Sequence, residues 1–140
     1  MRKGRDAATT PVTMPYDRMT EEALAAQVRR FYERARRDAV LGPVFEAAIT
    51  DWEEHFARLT DFWTSVLLAS GRYRGNPLAQ HMRHPIGPGM FPRWLALWGE
   101  TADELFVPEL AAILRQRAEL IARSLQAGMF FRPEEALARR

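Results

Sequence analysis

From Thr20 onward the apolar residues of this chain recur at helical spacing, and nowhere do they alternate for long enough to make a strand. Leu24, Val28, Phe31, Tyr32 and Ala35 follow the i, i+4, i+7, i+8, i+11 spacing of one helical face. Thr20 stands before them as a cap, and Glu21 and Glu22 place negative charge in the first turn, where it opposes the helix dipole. "LGPVFEAAI" is expected to break this helix at Gly42 and to restart a short one with Pro43 at its first position. A second long helix opens on "TDWE", read as a capping box of Thr50 and Glu53. At about 100° per residue, its Trp52, His55, Leu59, Phe62, Trp63 and Val66 share one stripe, and Gly71 supplies a stop. A third helix begins near Pro92 and aligns Phe91, Trp94, Trp98, Thr101 and Leu105. Pro108 starts a fourth, striped by Leu110, Leu114, Ile121 and Leu125 and closing at Gly128. The fold class is therefore all-α, with four main helices and no internal repeat.

Length and composition narrow the function. The 140 residues make one domain, read as an arm over 1–19, a folded unit over 20–130 and a polar tail over 131–140. No apolar run approaches the roughly 18 residues of a membrane span. Arg2, Lys3 and Arg5 resemble the start of a signal peptide, but the Thr/Pro-rich stretch after Ala7 is not an apolar segment, so a cytoplasmic protein is expected. The chain has no cysteine, which excludes disulfides, thiolate–zinc sites, iron–sulfur clusters and covalent haem attachment. Its net charge is only +2, and Arg29, Arg30, Arg34, Arg36 and Arg37 read as a solvated helix face. Nucleic-acid binding would need a reading motif, and none is present.

Two of the three histidines, His81 and His84, lie in "RYRGNPLAQHMRHP". Asn76 can cap and Pro77 fits a first helical position, so "NPLAQHM" reads as a short, stiff helix carrying His81 about one turn in. His84 precedes Pro85, which disfavours helical geometry and puts it at a frayed, exposed end. His55 sits in the aromatic stripe of the second long helix. Three readings follow. In the first, His81 ligates a flat apolar cofactor such as haem, with Phe31, Tyr32, Leu59, Phe62, Trp63, Phe91 and Trp94 as its lining. In the second, His55, His81 and His84 hold zinc. In the third, the chain is a haemless all-α interaction module and the aromatics are ordinary core.

Four ordered motifs, "FYERARRDAVLGPVFEAAI", "DWEEHFARLTDFWTSVLL", "GRYRGNPLAQHM" and "RWLALWGETADELF", resemble the truncated haemoglobins of the third group, from about Thr20 to Phe130. The resemblance implies a two-over-two helical sandwich that holds noncovalent b-type haem. It makes His81 the proximal ligand of the haem iron, Tyr32, His55 and Trp94 the distal residues, and Leu59, Phe62 and Trp63 apolar wall. Phe91 joins them as cofactor-contacting. Arg58, Arg72, Tyr73, Arg74 and Arg83 are candidate partners of the cofactor's propionates.

Such a protein binds O2, CO and NO reversibly. Tyr32 and Trp94 would donate hydrogen bonds to a ligand carrying partial negative charge, each worth about 1–3 kcal/mol in a dry pocket. His55 has three open roles: donor, gate or sixth iron ligand. Oxygen, NO or peroxide chemistry would follow from strong O2 retention, but NO dioxygenation would require a separate reductase, since no flavin or nicotinamide fingerprint is present. A monomer or weak homodimer is expected.

Overall fold

The computed structural model describes residues 14–73, 75 and 89–130. Most of them lie in five helices: α1 (Glu21–Arg37), α2 (Leu41–Ala48), α3 (Trp52–Leu68), α4 (Met90–Leu105) and α5 (Pro108–Phe130). No strand occurs among the described residues. Helix α1 packs on α2, α3 and α4, and α4 packs on α5. The result is two layers, α1 with α3 and α4 with α5, with α1 crossing α4 between them. No helix of the described residues is long and apolar enough to cross a membrane. The short helix expected to carry His81 lies outside the described residues, as do Arg74, Arg83 and His84.

The helix starts follow local chemistry, though several differ by a residue or two from expectation. Thr20 caps α1 as expected, its hydroxyl accepting from the Ala23 N–H at 3.1 Å. Helix α3 is capped by Asp51, which accepts from the Glu54 N–H at 3.1 Å, and not by Thr50. Glu53 turns instead to Arg29, in a two-pronged ion pair with N–O distances of 3.0 and 3.1 Å. Helix α3 ends at Ala69, which adopts the left-handed conformation with φ of 57°, two residues before the expected stop at Gly71. Helix α4 opens at Met90, two residues before Pro92, and α5 opens at Pro108 but continues past Gly128 to Phe130.

The break between α1 and α2 is made by Asp38 rather than by Gly42. The Asp38 carboxylate accepts from the Val40 and Leu41 N–H groups at 3.0 Å each, satisfying donors at the start of α2. Pro43 is consequently the third residue of α2, not the first. Gly42 has a different use: a Cβ there would sit 2.6 Å from the Arg36 carbonyl oxygen, so only glycine lets α2 leave so close to the end of α1.

Asp38 also receives Arg93 of α4 at 2.6 Å, and its side chain is only 5% exposed. Burial pushes its carboxyl up, but the Leu41 N–H, Arg93 and the Val40 N–H together hold it below the ordinary carboxylate range. A carboxyl depressed on folding stabilises the fold fully above its unfolded pKa of about 3.9, and the contribution is lost as pH falls through the lower folded value. Asp38→Ala is expected to cost about 1–2 kcal/mol at pH 7, as a lost helix cap does. Denaturant unfolding as a function of pH checks it: the gap to wild type should be constant above about pH 5 and close below about pH 4.

The core lies between the layers. Leu24, Val28 and Phe31 of α1, Trp63 of α3, Trp98 and Ala102 of α4, and Leu114 and Ala118 of α5 are all buried. The α5 stripe is richer in alanine than its leucines suggest: Ala111, Ala118 and Ala122 are as buried as Leu114 and bring α5 close to α4. Gln27 is fully buried and bridges α1 to α4, its amide donating to the Trp98 carbonyl at 3.1 Å. Its Oε1 has no partner among the described residues. The end of the segment read as a loose arm is tied down at Tyr16, which pairs with Leu105 and Val107 through backbone bonds of 2.8 and 3.0 Å. Its ring rests on Phe106 at 5.5 Å.

Of the arginines of α1, Arg29, Arg36 and Arg37 are exposed, as expected, while Arg30 and Arg34 are half-buried, and four of the five are not merely solvated. Arg29 pairs with Glu53 of α3, Arg30 and Arg34 with Glu104 of α4, and Arg36 with Glu46 of α2. Each exposed pair is worth about 0–1 kcal/mol, so their importance is in lacing α1 to its neighbours.

Candidate functional site

All five helices contribute to one cavity, with an empty volume of about 1350 Å3 counted out to its open mouth. Helix α1 gives Tyr32, and α3 gives His55, Leu59, Phe62 and Trp63 of the stripe read from the sequence, with Arg58 beside them. Tyr73 follows on the loop after α3, and α4 brings Phe91 and Trp94. Of the described residues that the family resemblance puts at the cofactor, all but Arg72 line this cavity. The expected metal ligand, His81, lies outside the described residues.

Phe31 is the exception among the aromatics read as lining. Adjacent positions on a helix point about 100° apart, so Phe31 and Tyr32 serve different neighbours. Phe31 packs into the core against Trp98, ring centroids 5.4 Å apart, and Trp94, at 6.1 Å. Tyr32 faces the other way, edge-on to His55 at 5.0 Å, Phe45 at 5.1 Å and Trp52 at 5.6 Å.

The lining holds few polar atoms, and three of them belong to Tyr32, His55 and Trp94. The Tyr32 hydroxyl and His55 Nε2 are 2.8 Å apart, a full hydrogen bond. Tyr32 is buried, and burial pushes its hydroxyl well above the ordinary tyrosine value, so it stays a neutral O–H donor across any working pH. Trp94 is half-buried, stacked on Trp98 at 6.1 Å with planes 16° apart. The structure records no acceptor for its indole N–H among the described residues.

At the rim the polar groups differ. Arg58 has about half of its side chain exposed and pairs with Glu54, one turn earlier, at 3.1 Å. Tyr73 leans edge-on against Phe62 at 5.1 Å, and its N–H donates to Ser65 Oγ at 3.1 Å, which fixes where the chain leaves α3. Burial raises the Tyr73 hydroxyl pKa, a shift that nearby Arg58 opposes. Arg72, a candidate propionate partner, does not reach the cavity; it binds Asp61 and Glu21 at 3.0 Å each.

Much of the wall is not among the residues read from the sequence as lining. Leu41, Val44, Phe45 and Ala48 of α2 line the cavity, and Met90, Ile121 and Leu125 close it from α4 and α5. The α2 residues do hold a signal, the i, i+3, i+4, i+7 spacing of one helical face, inside a stretch read only as a break.

A flat, mostly apolar group fits this donor set. The wall is aliphatic and aromatic, Tyr32 and His55 hold each other in one place, and a cationic side chain stands at the rim.

Comparison with known proteins agrees. No family model matches the chain. A group 3 truncated haemoglobin of Campylobacter jejuni is 36% identical over 118 residues, which span 81% of this chain and 93% of that one. The chain belongs to the truncated haemoglobins of the third group. The crystal structure of a group III truncated haemoglobin from the same organism superposes with a TM-score of 0.79 at 35% identity, covering 84% of this chain and 97% of the other. A group 2 truncated haemoglobin of Bacillus subtilis is 30% identical over 117 residues, 79% of this chain and 86% of its own length. Membership makes this a globin-type ligand-binding protein and implies a haem cofactor. Zinc gains no support: His81 and His84 lie outside the described residues, and no cluster of three potential metal ligands occurs among those that are described.

Proposed function

We propose that the cavity takes haem b noncovalently, with His81 as its proximal ligand, and that O2, CO and NO bind reversibly on the side where Tyr32, His55 and Trp94 stand. The observation that carries this is the Tyr32–His55 hydrogen bond of 2.8 Å in a mostly apolar cavity. A paired hydroxyl and imidazole beside an empty apolar volume are poor packing and good chemistry. Their mutual bond offsets the cost of burying them, and it leaves the Tyr32 hydroxyl able to donate to a small polar ligand when His55 donates to it.

Bound haem would supply the iron at which a diatomic ligand attaches. The chain's own residues do the rest. The Tyr32–His55 bond can run in either direction, because Tyr32 O–H can donate to a bare Nε2 or accept from an Nε2–H. With a ligand of negative outer atom nearby, the Tyr32 hydrogen turns to that atom and His55 Nε2–H donates to Tyr32 Oη. The two bonds then polarise each other. Trp94 adds a second donor from α4. Leu59, Phe62 and Trp63 keep water out, which raises the worth of each donor. Arg58 at the rim is placed for an anionic substituent of the cofactor. Two donors favour retention over release, so the protein suits O2 or NO chemistry better than oxygen delivery, and any turnover would draw electrons from a separate reductase.

Visible spectroscopy of the full chain, purified with haem supplied, tests this. A strong Soret band is expected, lost in His81→Ala and kept in His84→Ala. A chain without a Soret band but with stoichiometric zinc, or with neither haem nor metal, would overturn it.

A further inference from the structure

Trp52 does not line the cavity, yet it touches both members of the distal pair. Its ring meets Tyr32 edge-on at 5.6 Å with planes 65° apart, and His55 at 6.2 Å and 87°. It also rests on Phe56 at 5.9 Å. The Arg36 guanidinium lies over the Trp52 ring, 4.1 Å from its centroid. Arg36 is in turn held by Glu46 of α2, with Nε to Oε2 at 2.8 Å.

These contacts close a loop. Tyr32 and Arg36 are one turn apart on α1, and Trp52 and His55 are one turn apart on α3, so each pair shares a face of its helix. The hydrogen bond joins Tyr32 to His55, and the cation–π contact joins Arg36 to Trp52. Side chains on a helix lean toward its N-terminus, so the half-buried His55 leans back over the turn that carries Trp52. The indole stands beside the imidazole on that turn, edge-on at 6.2 Å. The first residue of α3 is itself firmly set, because Asp51 caps the helix immediately before it.

We propose that Trp52 is a positioning residue for the distal pair: clamped under Arg36, it keeps His55 turned to Tyr32 and so sets how strongly the ligand is held. This rests on the function proposed above and adds to it a control that runs from the surface ion pair Glu46–Arg36 through Trp52 to the donors. The ligand class is unchanged; what the clamp governs is retention.

The test uses the full-length chain loaded with haem, with two readouts. Nitrogen NMR of the His55 ring reports its bond to Tyr32, and stopped-flow mixing reports O2 dissociation. Trp52→Leu is expected to shift the His55 ring nitrogens toward those of the same ring in Tyr32→Phe, where the Tyr32 bond is gone, and to speed O2 release about 2- to 10-fold, the range of an edge-to-face aromatic contact. Trp52→Phe keeps an aromatic edge and should restore most of both. Arg36→Met removes the charge while keeping the stem, and should shift the same nitrogens in the same direction. In a Tyr32→Phe background, Trp52→Leu should have no further effect on release, because the pair it positions is gone. Unchanged His55 nitrogens in Trp52→Leu, or an equal effect on release with and without Tyr32, would overturn the proposal. Should Trp52→Leu fail to fold, Arg36→Met and Trp52→Phe decide it by the same nitrogens. The NMR readout is also taken on the chain without haem, so a failure to bind haem is told apart from a failure of the clamp.

Discussion

Tyr32→Phe should speed O2 dissociation by about 10- to 100-fold, the loss of one charge-assisted hydrogen bond of about 1.5–3 kcal/mol. Several features place Tyr32 above the other donors. Its hydroxyl is buried and neutral, lines the cavity, and is held at 2.8 Å by His55 rather than left to rotate. The ring itself is locked edge-on between Phe45, His55 and Trp52, so phenylalanine keeps the packing and removes only the hydroxyl. The effect should be specific to ligands that take on negative charge: CO takes on far less, and its release should change little. Trp94→Phe should act in the same direction but less, since Trp94 is half-buried and comes from the opposite layer. Stopped-flow ligand replacement measures both. Unchanged O2 release in both variants would show that neither donor reaches the ligand.

The helices are legible in the sequence because each buries one face, and a buried face writes its period into the chain. The stripe Trp52, His55, Leu59, Phe62, Trp63, Val66 contains most of the wall that α3 gives to the cavity. Helix ends are less legible. "TDWEE" offers two adjacent caps, Thr50 followed by Glu53 and Asp51 followed by Glu54, and both satisfy the same local chemistry. The helix takes Asp51. The end of α1 is hard to place for a similar reason: Gly42 looks like a breaker, while the carboxylate that organises the turn belongs to Asp38, whose second partner, Arg93, is 55 residues away. The α2 wall stays hidden because its eight residues barely exceed two turns, too few for a period to stand out from a loop. Phe31 and Tyr32 cannot be told apart by residue type. Which of two adjacent aromatics enters a cavity depends on where α4 lies, and that is a tertiary fact.

Trp98 shows how closely stability and site are joined, and its replacement by alanine should have the largest effect on stability. Its side chain is 2% exposed. It stacks on Trp63 at 4.6 Å with planes 20° apart and on Trp94 at 6.1 Å, and Phe31 meets it edge-on at 5.4 Å. The indole N–H donates to the Leu114 carbonyl at 3.2 Å, and the Trp98 carbonyl accepts from Gln27, so this one residue ties α4 to α5, α1 and α3. Truncating a buried tryptophan costs about 3–5 kcal/mol, against a total stability of about 5–15 kcal/mol for a domain. Trp98→Ala should therefore shift the urea midpoint far down, while Trp98→Phe, which retains a stacking ring, should keep most of the stability. The consequence extends to the cavity, because Trp63 and Trp94 both line it and both rest on Trp98. With that support gone, haem loss to a competing apoglobin should quicken in Trp98→Ala even where the fold survives. A group that binds the folded chain and not the unfolded one stabilises the fold, so added haem should recover part of the lost stability. A Trp98→Ala protein with wild-type haem retention would mean that Trp63 and Trp94 keep their places without the ring behind them.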